Sequence, residues 1–205
     1  MEILHYTTRR NWRKIRKSGS LKPNSPFIKD WLEEDMTQSR PEIHSLRGKK
    51  FITAIPSDRI SDWERYGLIE NLIDYTSGEV KLTFPLECLD GVMVRDHYST
   101  SAEHSIQKYG RNVFEEKLDP LAVRMGFYKK PCHELFREYM LSSRKLSETD
   151  LSQIKVPEIW IPFPISTEKI TAGNLTAKIF IPTIFSMNAT EYMYTGNLNS
   201  PNALK

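Results

Sequence analysis

Cysteine is scarce in this chain of 205 residues: Cys88 and Cys132 are the only two, and they stand far apart. Neither belongs to a CxxC pair or any other metal-ligand spacing, so free thiols are expected rather than a disulfide framework or a zinc site. Long apolar runs are missing too. The N-terminus has no signal-like apolar core, and no stretch approaches the roughly 20 residues that span a bilayer. A cytoplasmic protein with no membrane partner, or one exported without a cleaved signal, is therefore expected, and the sequons at Asn174 and Asn188 carry no meaning. The sequence also lacks GxGxxG and Walker-type loops, HExxH and a nucleophile elbow, which argues against P-loop, dinucleotide-fold, zincin and serine-hydrolase chemistry. Its five histidines, His5, His44, His97, His104 and His133, never pair at helical ligand spacing, so no bound metal is expected.

What is present is an ordinary globular composition, 39% apolar and 27% charged, with a formal net charge of +3. A chain of this length can bury a real core as one domain. The charge is uneven. Seven basic residues and no acid lie between Arg9 and Lys22, giving this end a local positive field that is either a solvated helix face or a surface for phosphate-rich ligands.

The opening EILHY, 2–6, reads as a short first strand that ends in a histidine. Thr7 or Thr8 can cap a following helix with Trp12 and Ile15 on its inner face, and Gly19 can stop it. Residues 24–49 lack periodicity and read as a long irregular loop, with one helical turn near 31–36. FITAIP, 51–56, is the next strand, followed by a helix from a capping-type Ser57 that carries Ile60, Trp63 and Leu68. EVKLTFPL, 79–86, alternates like a half-buried strand, and VMVRD, 92–96, is a further one. Helices are expected over 102–118 and 131–146, and the segment between VMVRD and the first of these reads as a capped turn or as part of a cleft wall. PEIWIPFPI, 157–165, is a strand whose prolines suit an edge or a strand end, and AKIFIP, 177–182, is the last candidate. Residues 1–187 are expected to form one domain and 188–205, rich in Asn, Ser, Thr and Gly, a flexible tail. Strands at both ends, helices between them and no βαβ alternation predict an α+β fold.

The stretch L-H-Y-T-T-x-x-N-W-x-x-I-x-x-S-G-x-L-K-P resembles the opening element of the ADP-ribosyltransferase superfamily, most closely the DarT-like and RNA 2′-phosphotransferase-like members. V-P-E-I-W-I-P-F-P-I-S-T-E-K-I is similar to the late strand of DarT-like domains, which carries a catalytic glutamate. The resemblance implies split antiparallel sheets with flanking helices and an enzyme that uses NAD as substrate. It cleaves the nicotinamide–ribose bond and passes ADP-ribose to a macromolecule, with DNA or RNA as candidate acceptors. It further implies Glu158 and His5 as catalytic residues and His5, Tyr6, Thr7, Arg47 and Thr53 as NAD contacts, with His5 on the ribose and Arg47 on the pyrophosphate. Tyr6 or Tyr66 would stack on nicotinamide. No counterpart of the family's central motif is recognisable, since FITAIP offers only Thr53. A non-catalytic module on the same fold, binding a nucleotide, nucleic acid or protein, is the alternative.

The chemistry accounts for the residue types. Nicotinamide departure leaves an oxocarbenium-like ribose, and a carboxylate facing it stabilises the transition state more than the ground state. On residue type alone, His5 is equally a core histidine with a satisfied hydrogen bond, and Glu158 a solvated carboxylate on an edge strand.

Overall fold

The computed structural model describes residues 1–27, 40–69, 79–109 and 137–174. Among these the chain is α+β, a mostly antiparallel sheet with few helices. The expected strand at 177–182, the turn near 31–36 and the tail at 188–205 lie outside the described residues.

Strand β1 (Glu2–Thr7) leads into helix α1 (Arg9–Ser18). Thr8 caps that helix, its hydroxyl accepting from the Asn11 amide at 3.0 Å. Gly19 ends it with φ +74°, a left-handed conformation that lets its amide return to the Arg16 carbonyl. Trp12 and Ile15 pack half-buried against the core, while the basic residues between them stay exposed. Short strands β2 (Ser20–Leu21) and β3 (Ser25–Pro26) follow, then β4 (Lys50–Pro56), β5 (Val80–Pro85), β6 (Met93–Asp96) and β7 (Arg144–Lys145). The last three are β8 (Pro157–Ile161), β9 (Ile165–Ser166) and β10 (Thr171–Asn174).

The main sheet runs β10-β5-β1-β4-β8-β6-β7, with β3 also on β4, and every pair is antiparallel. β2 and β9 form a separate pair. Alternation along the strands divides the core into two sides. Ile3, Ile52, Ala54, Leu82, Phe84, Val94, Ile159 and Ile161 build one. Leu4, Tyr6 and Ile55 face the other with Trp63 and Tyr98, beside Phe51, Met93, Tyr139 and Trp160.

Three expectations need correcting. β8 is not an edge: it lies between β4 and β6, and all five of its residues are buried. Pro157 and Pro162 bracket it, so neither removes a ladder donor from its centre. The helix expected over 131–146 has stopped by residue 141. There the Ser142 and Ser143 hydroxyls donate to the carbonyls of Tyr139 and Met140, and the chain enters β7. Ser57 is not a cap; a 3-10 turn over Ser57–Arg59 precedes the helix Ile60–Arg65 without a side-chain cap.

Replacing Ile159, which is fully buried on the central strand, with Ala should lower unfolding free energy by about 2–5 kcal/mol. Urea denaturation followed by Trp fluorescence measures this, and a loss below about 1 kcal/mol would mean that β8 is not a core strand.

Candidate functional site

The side of the sheet that carries Trp63 and Tyr139 also carries the only buried carboxylate among the described residues, Glu158. Its neighbours come from four places in the chain. Trp160, two residues on and so on the same face of β8, donates from Nε1 to Glu158 Oε2 at 2.8 Å. The Tyr139 hydroxyl, from the helical stretch 137–141, donates to the same oxygen. His97, just past β6, brings Nδ1 to 3.6 Å from it, within ion-pair range but too far for a hydrogen bond. Trp63 closes the group. Its ring stacks on His97 at 4.6 Å and 22°, and its Nε1 donates to the Pro157 carbonyl at 3.0 Å.

The two carboxylate oxygens are therefore unlike. Oε2 collects every donor, whereas Oε1 accepts from no described residue and is not among the fully enclosed polar atoms. Oε1 is therefore the oxygen not committed to a described side chain. Burial pushes this carboxyl up, but the His97 ring beside it and the Tyr139 and Trp160 donors outweigh it and hold the group below its ordinary 4.5. Glu158 is ionised at neutral pH.

Arg95 lies opposite Glu158 in the β6–β8 register, yet no ion pair joins them. Its guanidinium is fully buried between the faces of Phe27 and Trp160, at 3.9 and 4.0 Å. Nε donates to Ser143 Oγ at 2.8 Å and Nη2 to the Phe27 carbonyl at 2.7 Å, while Nη1 has no partner. Asp96 serves the backbone instead. Its Oδ1 accepts from the amides of Tyr98 and Val156 and its Oδ2 from Lys155, which ties the start of β8 to the end of β6. The segment after VMVRD is a capped turn, Ser101 Oγ accepting from the His104 amide at 3.1 Å ahead of the helix Ala102–Tyr109.

The residues singled out from sequence fall on two sides. Tyr6 and Thr53 share the alternation of Leu4 and Ile55, and so lie on the Glu158 side. His5 and Thr7 lie on the opposite side, with Ile3, Leu82 and Val80. The expected apposition of His5 and Glu158 across one cleft is not what the strands build. Arg47 is exposed in the turn before β4, and no contact joins it to Glu158. Tyr66 packs edge-on to Tyr98 at 4.9 Å.

His5 has a clear structural task. β1 pairs with β4 at Leu4↔Ile55 and goes no further, while β3 takes the same edge of β4 at Ser25↔Phe51. Between them the Thr53 carbonyl has no ladder partner, and His5 Nδ1 donates to it at 2.7 Å. A carbonyl only accepts, so the proton sits on Nδ1. Burial pulls the imidazole below its ordinary 6.5, partly offset by the Thr53 bond, so the ring is neutral at pH 7.

Sequence reasoning missed Arg95, Tyr139 and Trp160 and noted His97 only as half of a strand-end pair. The i, i+2 spacing of Glu158 and Trp160 on one strand was the available signal for a shared face. Tyr139 and His97 reach Glu158 through tertiary contacts that no local pattern encodes. Among the described residues, no group of three or more His, Cys, Asp or Glu side chains is arranged to hold a metal ion. No helix among them is long and apolar enough to cross a membrane.

Two titrations follow from these environments. His5→Ala should cost about 1–3 kcal/mol above pH 6.5 by orphaning the Thr53 carbonyl. Because burial depresses the folded imidazole, wild type loses stability as pH falls below 6.5 and the unfolded chain takes the proton. The gap between the two proteins in urea melts should therefore narrow in acid. Tyr139→Phe should cost about 1–3 kcal/mol at pH 7. Glu158's depressed carboxyl gives stability that is present above 4.5 and lost as pH falls through its folded value. That difference should shrink below pH 4.5, and a pH-independent gap would mean that Tyr139 does not act on the carboxylate.

Comparison with known protein families, characterised proteins and solved structures returned no match to this chain, so the chemistry of the site is read from its geometry.

Proposed function

We propose that this protein is an NAD-dependent ADP-ribosyltransferase with Glu158 as its catalytic carboxylate. The observation that carries the reading is the asymmetry of that group: Oε2 is anchored by Tyr139 and Trp160, and Oε1 accepts from no described residue. An ionised carboxylate with one oxygen fixed and one open is suited to accept a ribose hydroxyl through Oε1. It then faces the positive charge that develops at the anomeric carbon without reorganising.

The bond from that carbon to the pyridinium nitrogen breaks, and its electron pair leaves with nicotinamide. The acceptor's nucleophilic oxygen or nitrogen then forms a new bond to the same carbon and releases its proton. Tyr6 and Thr53, on the Glu158 side, are retained as NAD contacts, and Arg47 is retained for the pyrophosphate. His5 is reassigned to holding β4, since it lies on the other side of the sheet. Thr7, on that side too, is dropped as a contact. The place where β1 and β3 part along the edge of β4 supports a split-sheet architecture of ADP-ribosyltransferase type. The exposed basic residues of α1 favour a polyanionic acceptor, DNA or RNA.

One observation favours a non-catalytic binding module on the same fold: Glu158 is only 6% exposed. Nicotinamide release from NAD separates the two. Wild type should release it, and Glu158→Gln should do so about 10²–10³-fold more slowly while binding NAD with similar affinity. A wild-type protein that neither binds nor consumes NAD would end the enzyme reading.

A further inference from the structure

His97 is the one member of the Glu158 group whose contact is incomplete. Its Nδ1 is buried without a hydrogen-bond partner, yet it points at a carboxylate oxygen 3.6 Å away. Nε2 makes no hydrogen bond to a described residue, and the side chain keeps 10% of its surface exposed. The ring is fixed by stacking on Trp63 at 4.6 Å and by the edge contact with Tyr139 at 5.2 Å. The backbone on either side of it is fixed as well: its amide donates to the Val156 carbonyl at 2.8 Å, and its carbonyl accepts from the Thr100 hydroxyl at 2.8 Å. The chain thus holds an imidazole with one nitrogen toward a buried anion and a small part of its surface open to water.

A base in that position couples solvent pH to the charge that the carboxylate presents. Neutral, with its proton on Nδ1, the ring adds a weak dipole toward Oε2 and leaves the negative charge to Oε1. Protonated at Nε2 as well, it becomes a cation beside Glu158 and draws that charge inward. Among the described residues, the other charged or titratable groups around the ring are few. β8 brings Glu158, β6 brings Arg95 and Asp96, and the stretch 137–141 brings the Tyr139 hydroxyl. Arg95 is held by Ser143 and Phe27, and Asp96 is turned to the backbone amides of Tyr98, Lys155 and Val156. Trp63, from the helix Ile60–Arg65, brings no charge.

We propose that His97 is a positioning residue for Glu158, and that its protonation sets how much negative charge the free carboxylate oxygen offers to a bound cation. The role as stated for catalysis rests on the NAD reading; the coupling between the two side chains does not.

Two measurements on the full chain separate these. The first is ring 15N NMR of His97 across pH in wild type and in Glu158→Gln. Coupling predicts that the His97 resonances titrate at lower pH once the carboxylate is neutralised, and superimposable titrations would overturn the proposal. This arm needs no turnover, so it decides the coupling even if NAD proves not to be a substrate. The second is the pH profile of nicotinamide release by wild type and His97→Gln. The variant should lose at least roughly tenfold in kcat near neutral pH from a misplaced carboxylate, with KM for NAD little changed. The decline of wild-type activity toward acid should shift to lower pH in the variant, because the group that quenches Glu158 is gone. An acid limb unchanged in the variant would overturn the role of His97 in an active enzyme. His97→Asn, with the shorter amide, guards against misfolding: agreement of its acid limb with that of His97→Gln supports the proposal, and retention of the wild-type limb in a folded His97→Asn overturns it.

Discussion

A carboxylate buried in an aromatic core is costly unless donors meet it, and meeting Glu158 is the constraint that shapes this side of the molecule. An unpaired charge there would cost several kcal/mol, so the chain must bring donors to a central strand from far away. Tyr139 arrives from the stretch 137–141, His97 from the end of β6, and Trp160 from β8 itself. Trp63 then binds to what they form, through the His97 ring and the Pro157 carbonyl. Four segments that share no local sequence signal are fixed relative to one another because one oxygen has to be satisfied. Asp96 reinforces the arrangement from the backbone side by holding the amides that begin β8.

Arg95 meets the same problem by different means. Its charge is placed between two aromatic faces and tied to a carbonyl and a hydroxyl, although Glu158 lies across from it in register. Had the two paired directly, the carboxylate would have been neutralised by a permanent cation. Keeping them apart leaves Glu158 with the Tyr139 and Trp160 donors and the His97 ring beside it, and with no permanent cation paired to it among the described residues.

Much of the frame was legible in the sequence because it depends on local rules. The alternation in EVKLTFPL, the cap at Thr8 and the left-handed Gly19 are each set by neighbours in the chain. The α+β class followed from the order of those elements. The helix over 131–146 was over-extended because Ser142 and Ser143 turn back to their own carbonyls, a competition that apolar spacing does not register. The site was legible only as Glu158. Which side of the sheet a strand residue faces depends on the register of strands remote in sequence. The pairing Leu4↔Ile55 and the pairing Thr53↔Trp160 therefore decided that His5 and Glu158 part company. No spacing within β1 or β8 contains that information.

The histidine of the first strand and the glutamate of the central strand are still related, through β4. His5 closes the gap that β1 and β3 leave at Thr53, and Thr53 pairs in register with Trp160, the donor to Glu158. Loss of the His5 bond would free the β4 backbone at the point that aligns Trp160. The same contact that makes His5 a structural residue thus lies one strand away from one of the donors that help keep the carboxylate ionised. A defect at His5 would reach the site as a loosened Trp160 rather than as a lost ligand contact. A positioning effect transmitted through β4 and a direct contact with substrate would both lower activity. Only the first would also raise the pH at which Glu158 takes up its proton, since the Trp160 donor is one of the groups that hold that carboxyl down.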